Sequence, residues 1–150
     1  MTKPPFEPVA HCDQDISVLR PYPQITAGTE EFWSAGALGL LKLQRCQSCS
    51  CFIHPPAPLC PRCLSDEVEL TTVSGRAHVA TFTVNHHLWH PAFTPPYILA
   101  IVEFDDAPGV RLTTRLIGVE ISEVRIGLPV RVCFEQVGPT WLPLFTPEVE

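Results

Sequence analysis

Two Cys-x-x-Cys pairs separated by ten residues constrain this chain more than anything else in it: Cys46 with Cys49, then Cys60 with Cys63. Each pair forms a turn that presents two sulfurs on one side, and two such turns enclose one small cation. The ligand set is then Cys46, Cys49, Cys60 and Cys63. Four thiolates suit Zn(II), which has no geometric preference of its own, and zinc is the expected metal. Iron in a rubredoxin-like site is the second choice, because similar turns hold it. The competing readings are a disulfide pair or four unconnected buried cysteines. Pro55, Pro56, Pro58 and Pro61 exclude a helix from the segment, so the metal must supply the order and binding is expected to be one event with local folding. Ser50 and Leu64 stand where such turns often carry glycine. Cys51 and His54 are spare donors, read as bystanders. Lys42, Arg45 and Arg62 flank the site and would offset its anionic charge.

Composition narrows the surroundings. A chain of 150 residues, 45% hydrophobic, holds one modest domain or a small one carrying a metal-stapled appendage. Its longest apolar run, 97–102, is too short to span a bilayer, and no basic-then-apolar leader opens the sequence. A cytoplasmic location is expected. Seven cysteines, four of them assigned to metal, fit a reducing compartment better than a disulfide framework. Cys12 is unassigned, and Cys133 alternates with apolar neighbours as a small core residue would. Ten basic against sixteen acidic residues give a net charge of −6; four thiolates and one dication bring the metal-loaded chain to about −8. Only 17% of residues are charged and 17 are proline, a surface composition that suits a permanent partner.

The chain divides into an extended arm over 1–28, a short helix with the metal ribbon over 29–73, and a β domain over 74–150. Five prolines in the first 25 residues prevent a long helix there, and the arm is expected to be disordered or laid across a partner. Thr29 is positioned to cap a short helix with Glu30 and Glu31 in its first turn. Phe32 and Trp33 ride on that helix, either plugging the core or docking a partner or ligand. Strands are expected over 38–45 and 68–73, framing the metal turns. No recognition helix follows Cys63, which argues against a finger that enters the major groove. Further strands are expected at 76–85, with Ala80, Phe82 and Val84 on one face, and at 97–104. The next has Val110, Leu112, Thr114 and Leu116 inward. Two more follow at 128–135, with Val130, Val132 and Phe134 inward, and at 141–145. Five strands with one longer interruption predict a small OB-type barrel, or a sandwich fragment of similar periodicity.

Several segments together resemble a known family over nearly all of 29–150: TEEFW, LLKLQRCQSC with its second turn CPRC, SGRAHVATFTV, PPYILAIVEFDD and IGLPVRV. They are similar to the zinc-ribbon and OB-fold proteins catalogued as domain of unknown function 35, associated with acyl-CoA metabolism. The resemblance implies a mainly β chain with a helical arm, a rubredoxin-like zinc ribbon and an OB barrel, its zinc held by Cys46, Cys49, Cys60 and Cys63. It also implies a partner from the thiolase superfamily (a thiolase, acyltransferase or aldolase) or an acyl-CoA hydratase, with an acyl-CoA thioester as ligand of the complex.

The residues themselves offer no activated nucleophile, and four thiolates close a zinc shell to substrate, so the metal reads as structural. The loop over 85–96 gathers His86, His87, Trp89, His90 and Phe93 and is long for a hairpin. It is read as a partner or acyl-CoA contact, with a second metal site and a plain solvent loop as alternatives. Arg62, Arg76 and Arg111 are possible phosphate neighbours but equally surface residues. Two rival functions remain. Single-stranded nucleic-acid binding suits an OB barrel but lacks a basic stripe, and a free-standing iron redox protein would need iron in the thiolate site.

Overall fold

The computed structural model describes residues 20–148; Cys12 and most of the proline-rich arm lie outside them. Residues 20–26 have no regular structure, and their start lies on the chain's own barrel: Arg20 pairs with Glu135, and the Tyr22 ring covers Gly138.

The first helix, α1, is Glu30–Ser34. Thr29 occupies its N-cap without making the expected side-chain cap; its Oγ1 instead accepts the Thr26 backbone N–H at 3.0 Å. Glu31 in the first turn takes an ion pair from Lys42 at 2.5 Å, a tether to the next strand. A 3-10 turn over Ala35–Leu38 follows and ends at Gly39, whose φ of 68° reverses the chain. That turn displaces the expected strand: β1 is Leu41–Cys46, not 38–45. Gly36 sits where any Cβ would lie 2.5 Å from the Trp141 Cβ and 2.6 Å from Phe134, so glycine is what lets the turn rest on the barrel.

β1 lies centrally in a three-stranded antiparallel sheet between β2 (Phe52–Ile53) and β3 (Val68–Val73), with Leu41 opposite Val73 and Cys46 opposite Val68. At the end near Leu41, the sheet's side chains join the main core: Leu41, Leu43 and Val73 pack with Phe32 and the barrel residues. The other end carries the metal turns.

The barrel closes from β4 (Arg76–Asn85), β5 (Tyr97–Phe104), β6 (Arg111–Leu116), β7 (Pro129–Val137) and β8 (Thr140–Pro147), in the order β4-β5-β6-β8-β7. β8 meets β6 in parallel at Leu116 opposite Phe145, and β7 returns antiparallel to β4. Val79, Val102, Val130, Val132, Phe134 and Phe145 are at most 1% exposed and fill its interior. The inward sets expected for β6 and β7 are all buried. β4 departs from its expected single face. Its register shifts between Val79 and Thr81, and the extra residue rephases the pleat. Ala77 and Val79 point inward before the bulge, Phe82 and Val84 pack on the core after it, and Ala80 is the residue between. β7 also buries Cys133 and Glu135 on its outer side, the side Arg20 covers. Among the described residues no helix is long and apolar enough to cross a membrane.

Candidate metal centre and the loop beside the barrel

The two Cys-x-x-Cys turns repeat one hydrogen-bond plan. In the first, the Cys49 N–H donates to Cys46 Sγ at 3.5 Å, the Ser50 N–H donates to the Cys46 carbonyl at 2.9 Å, and the Cys46 N–H donates to the Cys51 carbonyl at 2.9 Å. In the second, the Arg62 N–H donates to Cys60 Sγ at 3.4 Å, the Leu64 N–H to the Cys60 carbonyl at 2.9 Å, and the Cys60 N–H to the Ser65 carbonyl at 2.8 Å. Ser50 and Leu64 both have φ of 62°, the left-handed region that favours glycine. Their departure from glycine costs local strain of about 1–2 kcal/mol each, which a bound metal would have to hold in place.

The four sulfurs converge, all within 4.8 Å of one another. Cys46 Sγ is 3.6 Å from Cys63 Sγ, and Cys49 Sγ is 3.6 Å from Cys60 Sγ. Tetrahedral Zn–S bonds of about 2.3 Å place neighbouring sulfurs about 3.8 Å apart, whereas a disulfide needs about 2.05 Å. The spacing therefore fits a tetrahedral tetrathiolate and excludes disulfides within the set. The backbone already favours thiolate at two positions. The Cys51 N–H lowers the Cys49 pKa, and the Cys63 N–H, aided by that of Arg62, brings Cys60 down to about 6 against its burial. At Cys63 the Ser65 N–H acts in the same direction but is outweighed by burial and by neighbouring sulfurs, which push it up to about 12. Four crowded sulfurs without a cation must share protons; a dication removes that conflict.

The spare donors are not part of this set. Cys51 Sγ touches Cys60 Sγ at 3.3 Å but is not in the converging group. His54 is partly buried against Phe32, ring centroids 5.1 Å apart, and burial lowers its pKa. The charge-offset role expected of Lys42 goes to Glu31 instead. Arg45 serves the first turn: its Nε donates to the Ser50 carbonyl at 3.2 Å, with the guanidinium over Phe52. Arg76 and Arg111 pair with Glu148 and Glu103. The Arg111 partnership holds the Glu103 carboxyl below its ordinary range.

Phe32 is only 4% exposed and belongs to the core, with Trp33 edge-on to it at 4.7 Å. Its docking role is thereby replaced by packing. The loop between β4 and β5 is ordered from within. Asn85 Nδ2 donates to the His87 carbonyl at 2.6 Å, Trp89 Nε1 donates to Asn85 Oδ1 at 2.7 Å, and the His87 ring meets Trp89 edge-on at 4.4 Å. Trp89 is nevertheless 73% exposed, beside exposed His86 and Leu88. His90 and Phe93 lie 5.7 Å apart further along. Among the described residues the converging donor group is the four-cysteine one, and the loop histidines are not part of it.

Sequence reasoning missed one feature of this region. Arg20 and Glu135 form a buried ion pair, 6% and 2% exposed in their side chains, and the Arg20 guanidinium lies 5.0 Å from the Phe93 ring centroid. Arg20 and Phe93, together with Tyr97, Leu99 and Leu142, border an outer cavity of about 300 Å³. Glu135 falls on the outward face of β7 beside Gln136, where a charged residue is ordinary, so no local signal announces the pair.

The chain is similar to two family models: the ChsH2 rubredoxin-like zinc ribbon domain over residues 33–69 and the ChsH2 C-terminal OB-fold domain over 70–135. It is 36% identical over 138 residues to a probable enoyl-CoA hydratase alpha subunit of Thermomonospora curvata, covering 91% of this chain and 43% of that protein. It is 33% identical over 119 residues to the 3-oxo-4,17-pregnadiene-20-carboxyl-CoA hydratase alpha subunit of Mycobacterium tuberculosis, covering 79% of this chain and 37% of that one. The chain thus spans about two fifths of the length of these curated relatives. Among solved structures, a chain of the Ltp2–ChsH2(DUF35) aldolase superposes with a TM-score of 0.77 at 34% identity, covering 85% of this chain and 100% of that one. A DUF35 protein of Sulfolobus solfataricus shares the fold, with a TM-score of 0.59 at 16% identity over 81% of this chain and 86% of that one.

Proposed function

This chain belongs to the ChsH2-type zinc-ribbon and OB-fold family, DUF35, and from that premise we propose that it is a non-catalytic accessory subunit of an acyl-CoA enzyme complex. The observation that carries this reading is the likeness, over the whole of that chain, to a component of the Ltp2–ChsH2(DUF35) aldolase. The hydratase alpha subunits among its relatives support the same class of assembly. Its partner is proposed to be a thiolase-superfamily enzyme, with an acyl-CoA hydratase as a further member. The metal is proposed to be a structural zinc on Cys46, Cys49, Cys60 and Cys63. A tetrahedral shell closed by four thiolates has no position for water or substrate.

Contact with the partner or with acyl-CoA is proposed to fall to the loop that carries His86, His87, Trp89 and Phe93, with Trp33 beside the barrel. The exposed Trp89 supports this, because its indole N–H is satisfied internally and its face is held in place before any partner arrives. Preordered aromatic side chains of this kind lose little freedom on binding. Co-expression with thiolase-like and hydratase-like proteins, followed by native mass spectrometry, tests the reading. A stable complex carrying one zinc per copy of this chain is expected, weakened by Trp89→Ala. A thiolase-like enzyme that is equally soluble and active alone, and never co-purifies with this chain, would overturn it.

A further inference from the structure

The repeated plan of the two turns isolates one residue that the plan does not require. Cys51 and Ser65 are equivalent: each lends its backbone carbonyl to the N–H of the leading cysteine of a turn, Cys46 and Cys60 respectively. That task needs no particular side chain. At the second turn the position carries a hydroxyl, which bonds Ser48 at 2.9 Å. At the first it carries a thiol placed 3.3 Å from Cys60 Sγ, closer than either contact of 3.6 Å between ligand sulfurs. Cys60 is fully buried, while Cys51 is partly open to solvent. A fifth sulfur therefore stands at the edge of the tetrathiolate, accessible from outside and in contact with a ligand that is not.

We propose that Cys51 is an oxidation-responsive thiol that forms a disulfide with Cys60 and thereby releases the metal. A hydroperoxide such as hydrogen peroxide is the oxidant. It takes two electrons from the Cys51 sulfur, giving the sulfenic acid and one water. The Cys60 thiolate then attacks that sulfur, its bond to the metal breaks, and with one proton the sulfenic oxygen leaves as a second water. The sum is one peroxide, two thiols, one disulfide and two waters. The sulfurs must close by about 1.3 Å to reach bonding distance. Cys46, Cys49 and Cys63 alone would be left to hold a bound ion, one donor short of the closed four-thiolate set. Because the ribbon beyond Cys46 has little other core, release would unfold it.

The inference rests on the site holding a metal, and the test separates the two. Metal content of the purified full chain is measured first, then metal release under hydrogen peroxide is followed with a chromogenic chelator for the native chain, Cys51→Ser and Cys51→Ala. Tandem mass spectrometry maps the disulfide formed. One metal per chain is expected in all three proteins, with release from the native chain roughly tenfold faster than from either variant, a Cys51–Cys60 link, and recovery on adding thiol reductant with zinc. Equal release rates, or a link joining Cys49 to Cys60 or Cys46 to Cys63 instead, would overturn it. So would variants that keep the barrel folded yet fail to load metal, since Cys51 would then be a ligand. A native chain purified without metal would refute the metal reading itself, and the map of the oxidised native chain still decides which sulfurs join even if both variants misfold.

Discussion

The barrel and the metal end of the ribbon differ in what keeps them folded. Barrel strands surround a continuous apolar interior in which Val79, Val102, Val130, Val132, Phe134 and Phe145 are at most 1% exposed. Around the metal turns the buried set is Cys46, Ile53 and Cys60, joined by a few partly buried neighbours. Two of those three are sulfur ligands. Burying a side chain such as Phe134 stabilises by about 1.5–3 kcal/mol, so the barrel accumulates its stability from many residues. The turns carry left-handed Ser50 and Leu64 and have almost nothing apolar to offset them. One half is held by area, the other has almost none and would be held by coordination.

Removing the metal should break the comparison most visibly. A strong chelator, or Cys60→Ser, is expected to abolish order over 46–66, since zinc contributes about 10–16 kcal/mol in small metal-folded peptides. Hydrogen exchange should show those amides unprotected while amides of 76–147 keep their protection. Simultaneous loss in both regions would mean that the barrel leans on the ribbon. The converse experiment is Phe134→Ala, expected to cost about 3–5 kcal/mol in denaturant unfolding while the folded fraction still binds one metal.

At the seam between the regions, Gly36→Ala sharpens the distinction. Its new Cβ would meet Trp141 and Phe134 at 2.5 and 2.6 Å, and overpacking of this kind costs about 1–3 kcal/mol. The loss should fall on the barrel melt and on α1, leaving metal affinity unchanged. A variant as stable as the native chain would show that the 3-10 turn rides loosely on β7 and β8.

The regions also differed in how legible they were in sequence. Coordination is read from spacing alone, so the four cysteines could be picked out without knowing any fold, and the structure brings them together. Strands β3, β4 and β5 were legible because each carries several β-branched residues, joined by aromatics in β4 and β5, between turn formers. What escaped was set by contacts distant in sequence. The bulge in β4 depends on its pairing with β5, and no local pattern announces it. The start of β1 moved because a 3-10 turn, fitted to the barrel through Gly36, consumed the first residues of an apolar run. Phe32 read equally as core or contact until its neighbours were known. Arg20 and Glu135 are 115 positions apart, and periodicity says nothing about such a pair. The His-rich loop was legible as long and aromatic, but its internal order through Asn85 was not.

The smallest expected effect concerns acid. Arg111 bonds Glu103 at 2.6 Å across β5 and β6, and this hydrogen bond and charge, with help from His78, lower the Glu103 pKa. A carboxyl whose folded pKa lies below its unfolded value contributes stability above the unfolded value, near 4.3, and loses it as pH falls through the folded one. The barrel should therefore weaken only below the ordinary glutamate range, and modestly, because the pair is at the surface. In the ribbon the sign is the same but the cause differs: protons compete with the metal for thiolates whose ordinary values lie far higher, so metal should leave before Glu103 titrates. Two separated acid transitions are expected, metal release first and a slight barrel loss second. Arg111→Ala should flatten only the second, the small loss being already present at neutral pH, as followed by barrel circular dichroism against metal content. A single coincident transition, or a shift of the metal curve in that variant, would show that the two regions are coupled through the sheet rather than held independently.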